Sequence, residues 1–344
     1  MKTILVVGGT GAQGGAVVRH LCSTGRYRIL LFTRDLQSKH STDLIKLGNV
    51  EGVRNGADHG YDVGAYEQAL HQVDGVFINT DGFALGEQAE TYWGIRLFEV
   101  AVKAGVPHIV YSGLENSWRE SSYDPALYVG HYQGKARVQD FIKAQPPSKT
   151  KWSIVRSGPY IEMLAEALVP SVDDNGTYTF NLPLDNGAIP FIHLEDFGRY
   201  IDWILSHLDE ASNLDLAVST THATGEDIAQ AFTAVTGKKA IYSNIPASIW
   251  SSIAFESLPD GPDTKVGYNT MNPNGLNQTY AENFGNWWNL YKASAGNTGL
   301  IKKDYALLDK LLPDRVKSVQ EWMVKTNYTG ERVRLLKMAV TNSR

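Results

Sequence analysis

Short apolar runs alternate with stretches of helical periodicity along the first half of the chain. Residues 3–7 form the first run, and residues 13–23 then place Val17, Val18 and Leu21 on one face of a helix. The same alternation predicts strands at residues 28–33, 75–79, 108–112 and 152–156, and helices at residues 88–104 and 129–144. Continuously apolar strands are typical of parallel strands that helices cover on both faces. We therefore predict an α/β protein with a doubly wound parallel sheet.

Beyond residue 157 the pattern changes, and polar turn clusters such as Asp173-Asp174-Asn175-Gly176 separate shorter elements. This indicates a sheet domain at residues 1–157 and a smaller α/β lobe at residues 158–344. Two predicted strands and a helix within residues 189–219 are regular enough to extend the first sheet. Residues 258–299 are rich in Gly, Asn and Pro, and a long irregular connection of this kind is more often functional or mobile than neutral.

Composition narrows the class of protein. The 344 residues are 43% hydrophobic, and 32 Lys and Arg stand against 37 Asp and Glu, which excludes a disordered chain and a broad basic surface for nucleic acid. The single Cys22 excludes an intrachain disulfide and a cysteine-based zinc site. No stretch approaches the roughly 18 apolar residues of a membrane span. We expect no metal, no membrane partner, no direct nucleic-acid partner and a cytoplasmic location.

A glycine-rich turn joins the first predicted strand to the first predicted helix. Gly8, Gly11 and Gly14 satisfy the spacing G-x-x-G-x-x-G at this junction, the context in which it indicates a dinucleotide site. Glycine lets the chain turn tightly, lets a pyrophosphate touch the backbone and lets the helix lie close to the strand. The free amides at the start of the helix then hold the anion. The predicted phosphate contacts are Gly8, Thr10, Gly11, Ala12, Gln13 and Gly14.

The end of the second predicted strand indicates which dinucleotide binds. An Asp or Glu there accepts the ribose 2′-hydroxyl of NAD, whereas a cation takes the 2′-phosphate of NADP. Thr33 and Arg34 follow this strand, and Lys39 adds a second positive charge. Asp35 is the counter-evidence, because with a shift of two residues it could reach a ribose. We predict NADP(H) rather than NAD(H), with Arg34 as the phosphate ligand.

Four segments carry a resemblance to a known family: GGTGAQGG at residues 8–15, Thr33-Arg34, VYSGLEN at residues 110–116 and HYQGK at residues 131–135. Together they resemble the NmrA-like family of atypical short-chain dehydrogenases, which includes a fungal nitrogen-metabolite regulator and a mammalian NADPH sensor. The resemblance runs over most of residues 1–245 and implies a Rossmann domain that binds NADP(H), with a small C-terminal lobe forming a cleft. The further cofactor contacts expected with it are Asn79, Thr80, Lys135, Gly158 and Pro159.

The residues expected to do chemistry depart from the usual pattern. Short-chain dehydrogenases place Tyr-x-x-x-Lys on one helix face, where the Lys holds the nicotinamide ribose and the Tyr passes a proton to the substrate. Lys135 and Ser112 match this pattern, but the position four residues before Lys135 is His131. His131 is our candidate for acid–base catalysis, and a hydrogen-bonded structural histidine is the alternative. Tyr160 is a candidate for contact with substrate, with a core role equally open.

An aromatic stripe bears on the choice of function. Phe284, Trp287, Trp288 and Tyr291 share one face of a helix near the irregular residues 259–262. Core packing explains such a stripe, yet an aromatic wall beside a variable loop also suits a ring-containing ligand. We expect an NADP(H)-dependent enzyme that acts on a small aromatic or polycyclic molecule, by hydride transfer or by acid–base cyclisation or isomerisation. The alternative is a non-catalytic NADP(H)-sensing regulator that binds another protein, for which a nuclear location also fits.

Overall fold

The computed structural model describes residues 1–272, 275 and 277–333. Residues 273, 274, 276 and 334–344 lie outside this description, so the predicted lobe and the irregular stretch at residues 258–299 are each described in part. Within the described residues the strands are β1 (Lys2–Val7), β2 (Tyr27–Thr33), β3 (Val50–Arg54), β4 (Gly75–Ile78), β5 (His108–Gly113), β6 (Lys151–Arg156), β7 (Ser171–Val172), β8 (Tyr178–Leu182), β9 (Ile189–Phe191), β10 (Leu214–Ala217), β11 (Thr221–Ala223) and β12 (Ala240–Asn244).

A seven-stranded parallel sheet forms the centre of the molecule, in the order β10-β6-β5-β4-β1-β2-β3. This confirms the predicted doubly wound α/β fold. The strand order reverses between β1 and β4, and the crevice beyond the carboxyl ends of these strands is where such sheets bind ligands. β3 was missed by the sequence pattern because it is a short edge strand in which Val50 is the one buried residue.

Only one of the two strands expected to extend this sheet pairs with it. β10 pairs with β6 and lengthens the sheet, as predicted. The expectation that β9 would also join this sheet was wrong, because β9 pairs antiparallel with β11 in a separate two-stranded sheet. A three-stranded sheet in the order β12-β8-β7 belongs to the lobe. Where the lobe begins stays a prediction, since β10 follows residue 158 in sequence and still completes the central sheet.

Helices cover both faces of the central sheet. Those of the described residues are α1 (Ala12–Ser23), α2 (Lys39–Ile45), α3 (Val63–Leu70), α4 (Gly82–Leu85), α5 (Glu87–Lys103), α6 (Ser117–Glu120), α7 (Gly130–Lys143), α8 (Leu194–Ser206), α9 (Leu208–Ala211), α10 (Gly225–Thr236), α11 (Ala247–Ala254), α12 (Tyr280–Lys292), α13 (Tyr305–Leu311) and α14 (Val319–Thr326). Side chains of α1, α2 and α8 share one core, and those of α3, α5 and α7 share the other. β1 shows the period of two, since Ile4 and Val6 enter the first core while Leu5 and Val7 enter the second.

The lobe is built around an aromatic core. The stripe predicted from the sequence lies on α12, where Trp288 and Tyr291 are fully buried and pack with Trp250. The fully buried side chain of Lys303 places its ammonium 2.6 Å from Oε1 of Glu115, which follows β5. This buried ion pair joins the later part of the chain to the end of the sheet.

Asp202 fastens α8 to the first strand-helix unit. It is buried on α8, accepts a hydrogen bond from the Tyr27 hydroxyl at 2.8 Å, and pairs with the Arg26 guanidinium. The His20 ring on α1 lies 3.3 Å away. Although burial alone would raise it, the pKa of Asp202 is lowered, because the His20 and Tyr27 hydrogen bonds and the Arg26 charge favour the carboxylate. α8 is thereby held beside α1, the helix that follows the glycine-rich turn.

We expect Asp202→Ala to destabilise the protein by about 2–3 kcal/mol, because it leaves a buried tyrosine hydroxyl without its acceptor and an arginine without its counter-charge. The midpoint of thermal unfolding measures this effect. Asp209→Ala, at an exposed position on the neighbouring α9, is the matched control and should change stability by no more than about 0.5 kcal/mol. Equal melting temperatures for the two variants would contradict the role of Asp202.

Candidate active site

The glycine-rich turn is shaped by backbone contacts that leave no room for side chains. Gly8 has φ +78°, and a Cβ there would overlap the carbonyl oxygen of Asn79 at the end of β4. A Cβ on Gly14 would overlap the backbone of Gly8. Gly11 differs, because the nearest atom to its Cβ would be the Gly8 carbonyl oxygen at 3.4 Å. Gly8 and Gly14 therefore close the turn, whereas Gly11 leaves space above it.

The start of α1 is ready to bind an anion. Gly11 is its N-cap and supplies no side-chain hydrogen bond, so the first amides of the helix have no side-chain cap. Thr10, Gly11 and Ala12 also line an open groove of about 650 Å³. Uncapped amides at the positive end of a helix are what a pyrophosphate requires. The turn therefore fits the phosphates of a dinucleotide.

The side chain of Gln13 has a role that the sequence did not indicate. It is buried, accepts a hydrogen bond from the Ser112 hydroxyl at 2.6 Å, and donates one to the Ser157 hydroxyl at 3.1 Å. These serines lie on or just after β5 and β6. Gln13 therefore ties the start of α1 to two neighbouring strand ends, and Ser112 is engaged with the protein.

The residues after β2 distinguish the two dinucleotides. Oδ1 of Asp35 accepts hydrogen bonds from the backbone amides of Gln37 at 2.8 Å and Ser38 at 3.1 Å, so it caps its own turn. Arg34 is exposed and pairs with no carboxylate among the described residues. Lys39, the second predicted cation, pairs with Asp43 on α2. This arrangement leaves Arg34 as the group suited to a 2′-phosphate.

Lys135 lies at the carboxyl end of β4, together with two other predicted cofactor contacts. Its ammonium donates to the Thr80 carbonyl oxygen at 2.9 Å and to Asn79 Oδ1 at 3.2 Å. Oε1 of Glu90, on α5, lies 3.2 Å away. Lys135, Asn79 and Thr80 thus lie together with Glu90, and their contact with the cofactor stays a prediction.

The lobe determines where α7 begins. The amide of Gly130 donates to Oε1 of Gln278 at 2.8 Å, and the amide of His131 donates to Oδ1 of Asn283 at 3.2 Å. Nδ2 of Asn283 lies 2.8 Å from Nδ1 of His131. Oδ1 of Asn283 lies 3.0 Å from the same Nδ1, so the ring tautomer decides which amide atom is its partner. Nε2 makes no hydrogen bond with the described residues.

The ring of His131 belongs to the aromatic cluster rather than to the polar group around Lys135. It packs on Phe83 with ring centroids 4.7 Å apart, and on Phe284 at 5.8 Å. Phe83, Phe284 and Tyr280 form a three-ring cluster, in which each centroid lies 5.8–6.2 Å from the other two and the ring planes are within 16° of parallel. Burial in this apolar setting lowers the pKa of His131 to about 4. The imidazole is therefore neutral at physiological pH, which corrects the expectation of an unperturbed histidine.

The segment after β6 is anchored to β9. A Cβ on Gly158 would lie 2.6 Å from the carbonyl oxygen of Pro190, and the Pro159 carbonyl accepts a hydrogen bond from the Ile192 amide at 2.9 Å. Tyr160 forms a β-bridge with Ile192 and packs against the core shared by α1 and α8. Burial raises the pKa of its hydroxyl. The backbone is thus held rigidly, while contact of these residues with cofactor or substrate stays a prediction.

In a comparison with known protein families, residues 1–288 match the NmrA-like family. The chain belongs to the NmrA-like family. The NmrA-like family domain-containing oxidoreductase malD of Malbranchea aurantiaca is 23% identical over 349 residues, covering 94% of this chain and 96% of the relative. The predicted family is confirmed.

Solved structures related to this NmrA-like chain include cofactor complexes. NmrA, a negative transcriptional regulator, matches with a TM-score of 0.72 at 17% identity over 94% of each chain, and has been solved with NADP and with NAD. The triphenylmethane reductase of Citrobacter sp., solved with NADP(H), matches with a TM-score of 0.66 at 16% identity over 95% of this chain and all of its own. The predicted cofactor agrees with these neighbours.

Three residues of this NmrA-like site were missed from the sequence: Glu90, Phe83 and Asn283. Glu90 carried a usable signal, because it shares the buried face of α5 with Gly94 and Leu97 at helical spacing. An acid on an apolar face needs a partner. Phe83 and Asn283 carried no such signal, because their role arises from contacts between distant segments, such as Asn283 with His131, 152 residues away.

Two features are absent within the described ranges. No helix there is long and apolar enough to cross a membrane. No group of three or more His, Cys, Asp or Glu side chains there is arranged to hold a metal ion.

We expect Gly11→Val to abolish dinucleotide binding and leave the fold intact, because the new side chain meets no protein atom closer than a carbonyl oxygen at 3.4 Å and occupies the space above the turn. Calorimetric titration with NADP(H), with circular dichroism as the fold check, tests this. Gly14→Ala is the contrasting variant, since its methyl overlaps the Gly8 backbone and should lower the melting temperature. A folded Gly11→Val protein that binds normally would place the phosphates elsewhere.

Proposed function

We propose that this protein is an NADP(H)-dependent oxidoreductase that acts on a small aromatic or polycyclic molecule. The observation that carries the proposal is the placement of Lys135 and His131 one helical turn apart on α7. Lys135 faces the polar strand ends, and His131 faces the aromatic cluster. A cofactor side and a ring-binding side therefore meet on one helix.

The chain's own residues divide the work of holding the cofactor. The amides of Thr10 to Gln13 take the pyrophosphate, Arg34 takes the 2′-phosphate, and Lys135 donates to the nicotinamide ribose. When bound, NADP(H) supplies hydride chemistry at its nicotinamide ring. Gly158 and Pro159, held against β9, would contribute backbone contacts to that ring.

His131 acts here as a neutral hydrogen-bond donor. In the tautomer in which Nδ1 accepts from Nδ2 of Asn283, the proton is on Nε2, and this Nε2–H is the group available to polarise a substrate oxygen as charge develops on it. With a pKa near 4, His131 is a poor replacement for the tyrosine that passes a proton to the substrate in short-chain dehydrogenases. The proton that the substrate takes up then comes from another group or from water. This suits the reduction of a conjugated ring system.

The aromatic substrate class is supported from two directions. Phe83, Tyr280 and Phe284 form a cluster of near-parallel rings beside His131, with interplanar angles of 8° to 16° between them. Flat apolar surfaces of this kind favour flat ligands. The Citrobacter neighbour is a reductase of triphenylmethane dyes by its name, so its substrate is of the same chemical class.

One observation favours the second candidate, a cofactor-sensing regulator. Phe83 lies directly on His131 and fills the space that a substrate ring would need. The NmrA neighbour is a negative transcriptional regulator by its name. Turnover decides between the two: NADPH oxidation in the presence of a quinone or a triarylmethane dye supports the enzyme. Tight NADP(H) binding without oxidation of NADPH by either compound, even after Phe83→Ala opens the stack, supports the regulator.

We expect wild-type protein to prefer NADP(H) over NAD(H) by roughly tenfold to a hundredfold, the contribution of one charge-assisted hydrogen bond, and Arg34→Ala to remove this preference. Calorimetry with both cofactors measures it. Lys39→Ala is the matched control, because its ammonium is already paired with Asp43, and should keep most of the preference. Equal affinities of the wild type for NADP(H) and NAD(H) would contradict the role of Arg34 and favour Asp35 as the ribose ligand.

We expect His131→Phe, which keeps the ring packing and removes the donor, to lower turnover by about 10² to 10³ while sparing cofactor affinity. Because His131 is neutral above its lowered pKa, the wild-type rate should show no step from this group between pH 6 and 9. Tyr132→Phe is the control, since its hydroxyl bonds to Tyr291 inside the lobe. A step near pH 6.5 that disappears in His131→Phe would overturn the neutral-donor role.

A further inference from the structure

Glu90 is a carboxylate with no exposure to solvent, placed directly behind the cofactor lysine. Its Oε1 lies 3.2 Å from the Lys135 ammonium and accepts a hydrogen bond from the Thr80 hydroxyl at 2.9 Å. Its Oε2 has no hydrogen-bond partner among the described residues. Burial raises the pKa of Glu90, and the Lys135 charge and the Thr80 hydroxyl oppose that rise.

Two glycines make room for this carboxyl group. A Cβ on Gly82, at the start of α4, would overlap Oε2 of Glu90. A Cβ on Gly134 would lie 2.9 Å from the same oxygen, and Gly134 immediately precedes Lys135 on α7. Three separate elements, α4, α5 and α7, are therefore shaped around one acid.

Stability alone does not account for this arrangement. A buried ion pair is often no more stabilising than apolar residues of the same volume, and an unpartnered buried oxygen adds a further cost. A lysine side chain on its own is flexible and loses its proton readily when buried. Glu90 counters both tendencies, because it holds the ammonium in place and supplies the opposite charge.

We propose that Glu90 is a positioning residue of the cofactor site, which fixes the Lys135 ammonium at the end of β4, where it would meet the nicotinamide ribose. This proposal rests on the proposed function, in which Lys135 contacts the cofactor. Glu90 itself touches Lys135 and Thr80 and acts on the cofactor through the lysine.

The other ionisable groups that face the pair come from four neighbouring segments. They are Tyr61 before α3, Asp81 before α4, Tyr111 on β5 and His131 on α7. Burial raises the pKa of both tyrosines and lowers that of His131. None of these three changes charge between pH 7 and 10, so a change in that window reports the Glu90–Lys135 pair.

The test is the pH dependence of NADPH affinity, followed by calorimetry from pH 7 to 10. In the wild type, where the ammonium lies 3.2 Å from Oε1 of Glu90, affinity should change little over this range. In Glu90→Gln the buried ammonium loses its counter-charge, its pKa falls, and affinity should decline with rising pH by up to about tenfold per unit above that pKa. Glu87→Gln, on the same helix but paired with Arg137, should follow the wild-type profile.

Lys135→Met and Lys135→Met/Glu90→Met separate positioning from a general effect on the fold. Without the lysine, Glu90 has nothing to position, so both variants should bind NADPH equally weakly and without pH dependence in this window. The double variant has no uncompensated buried charge, so this comparison holds even if Glu90→Gln fails to fold.

Parallel pH profiles for wild type and a folded Glu90→Gln would overturn the proposal. So would a further loss of affinity on adding Glu90→Met to Lys135→Met. In either case the proposed function is unaffected if the wild type binds NADPH. A wild type that binds no NADPH overturns the proposed function and this inference together.

Discussion

The site depends on the close approach of two backbone segments, the turn after β1 and the end of β4. Gly8 lies against the Asn79 carbonyl, and Gly14 lies against Gly8, at distances that exclude any side chain. This contact sets where α1 begins and leaves its first amides uncapped. It also sets where Asn79 and Thr80 lie, and these residues hold Lys135. The glycine-rich turn and the polar group around Lys135 are therefore linked by one steric constraint.

α7 carries two chemically opposite environments within a single turn. Lys135 is surrounded by a carboxylate, an amide oxygen and a carbonyl oxygen, which stabilise its charge. His131 is surrounded by aromatic rings, which remove its charge. The usual dehydrogenase tyrosine would have to donate a proton from the second environment. A neutral imidazole there is better suited to orient a substrate oxygen than to protonate it.

The lobe contributes to the site as much as the sheet does. Gln278 and Asn283 cap the first turn of α7 through its backbone amides, so the helix that carries Lys135 and His131 starts where the lobe allows. The lobe also supplies the rings of Tyr280 and Phe284 against Phe83. Changes in the lobe would therefore alter the substrate side while leaving the glycine-rich turn and its anion site unchanged.

The sequence by itself determined the fold class, the strands of the central sheet apart from β3, the phosphate turn and the position of Lys135 one turn after His131. These follow from local signals: apolar period, glycine spacing and helical geometry. Only the tertiary structure decided the state of His131 and the partner of Lys135. A pKa depends on what surrounds a group in space, and Asn283, Phe83 and Glu90 reach these side chains from distant segments. The capping role of Asp35 was equally hidden, because a sequence shows an acid but not which amides its oxygen accepts.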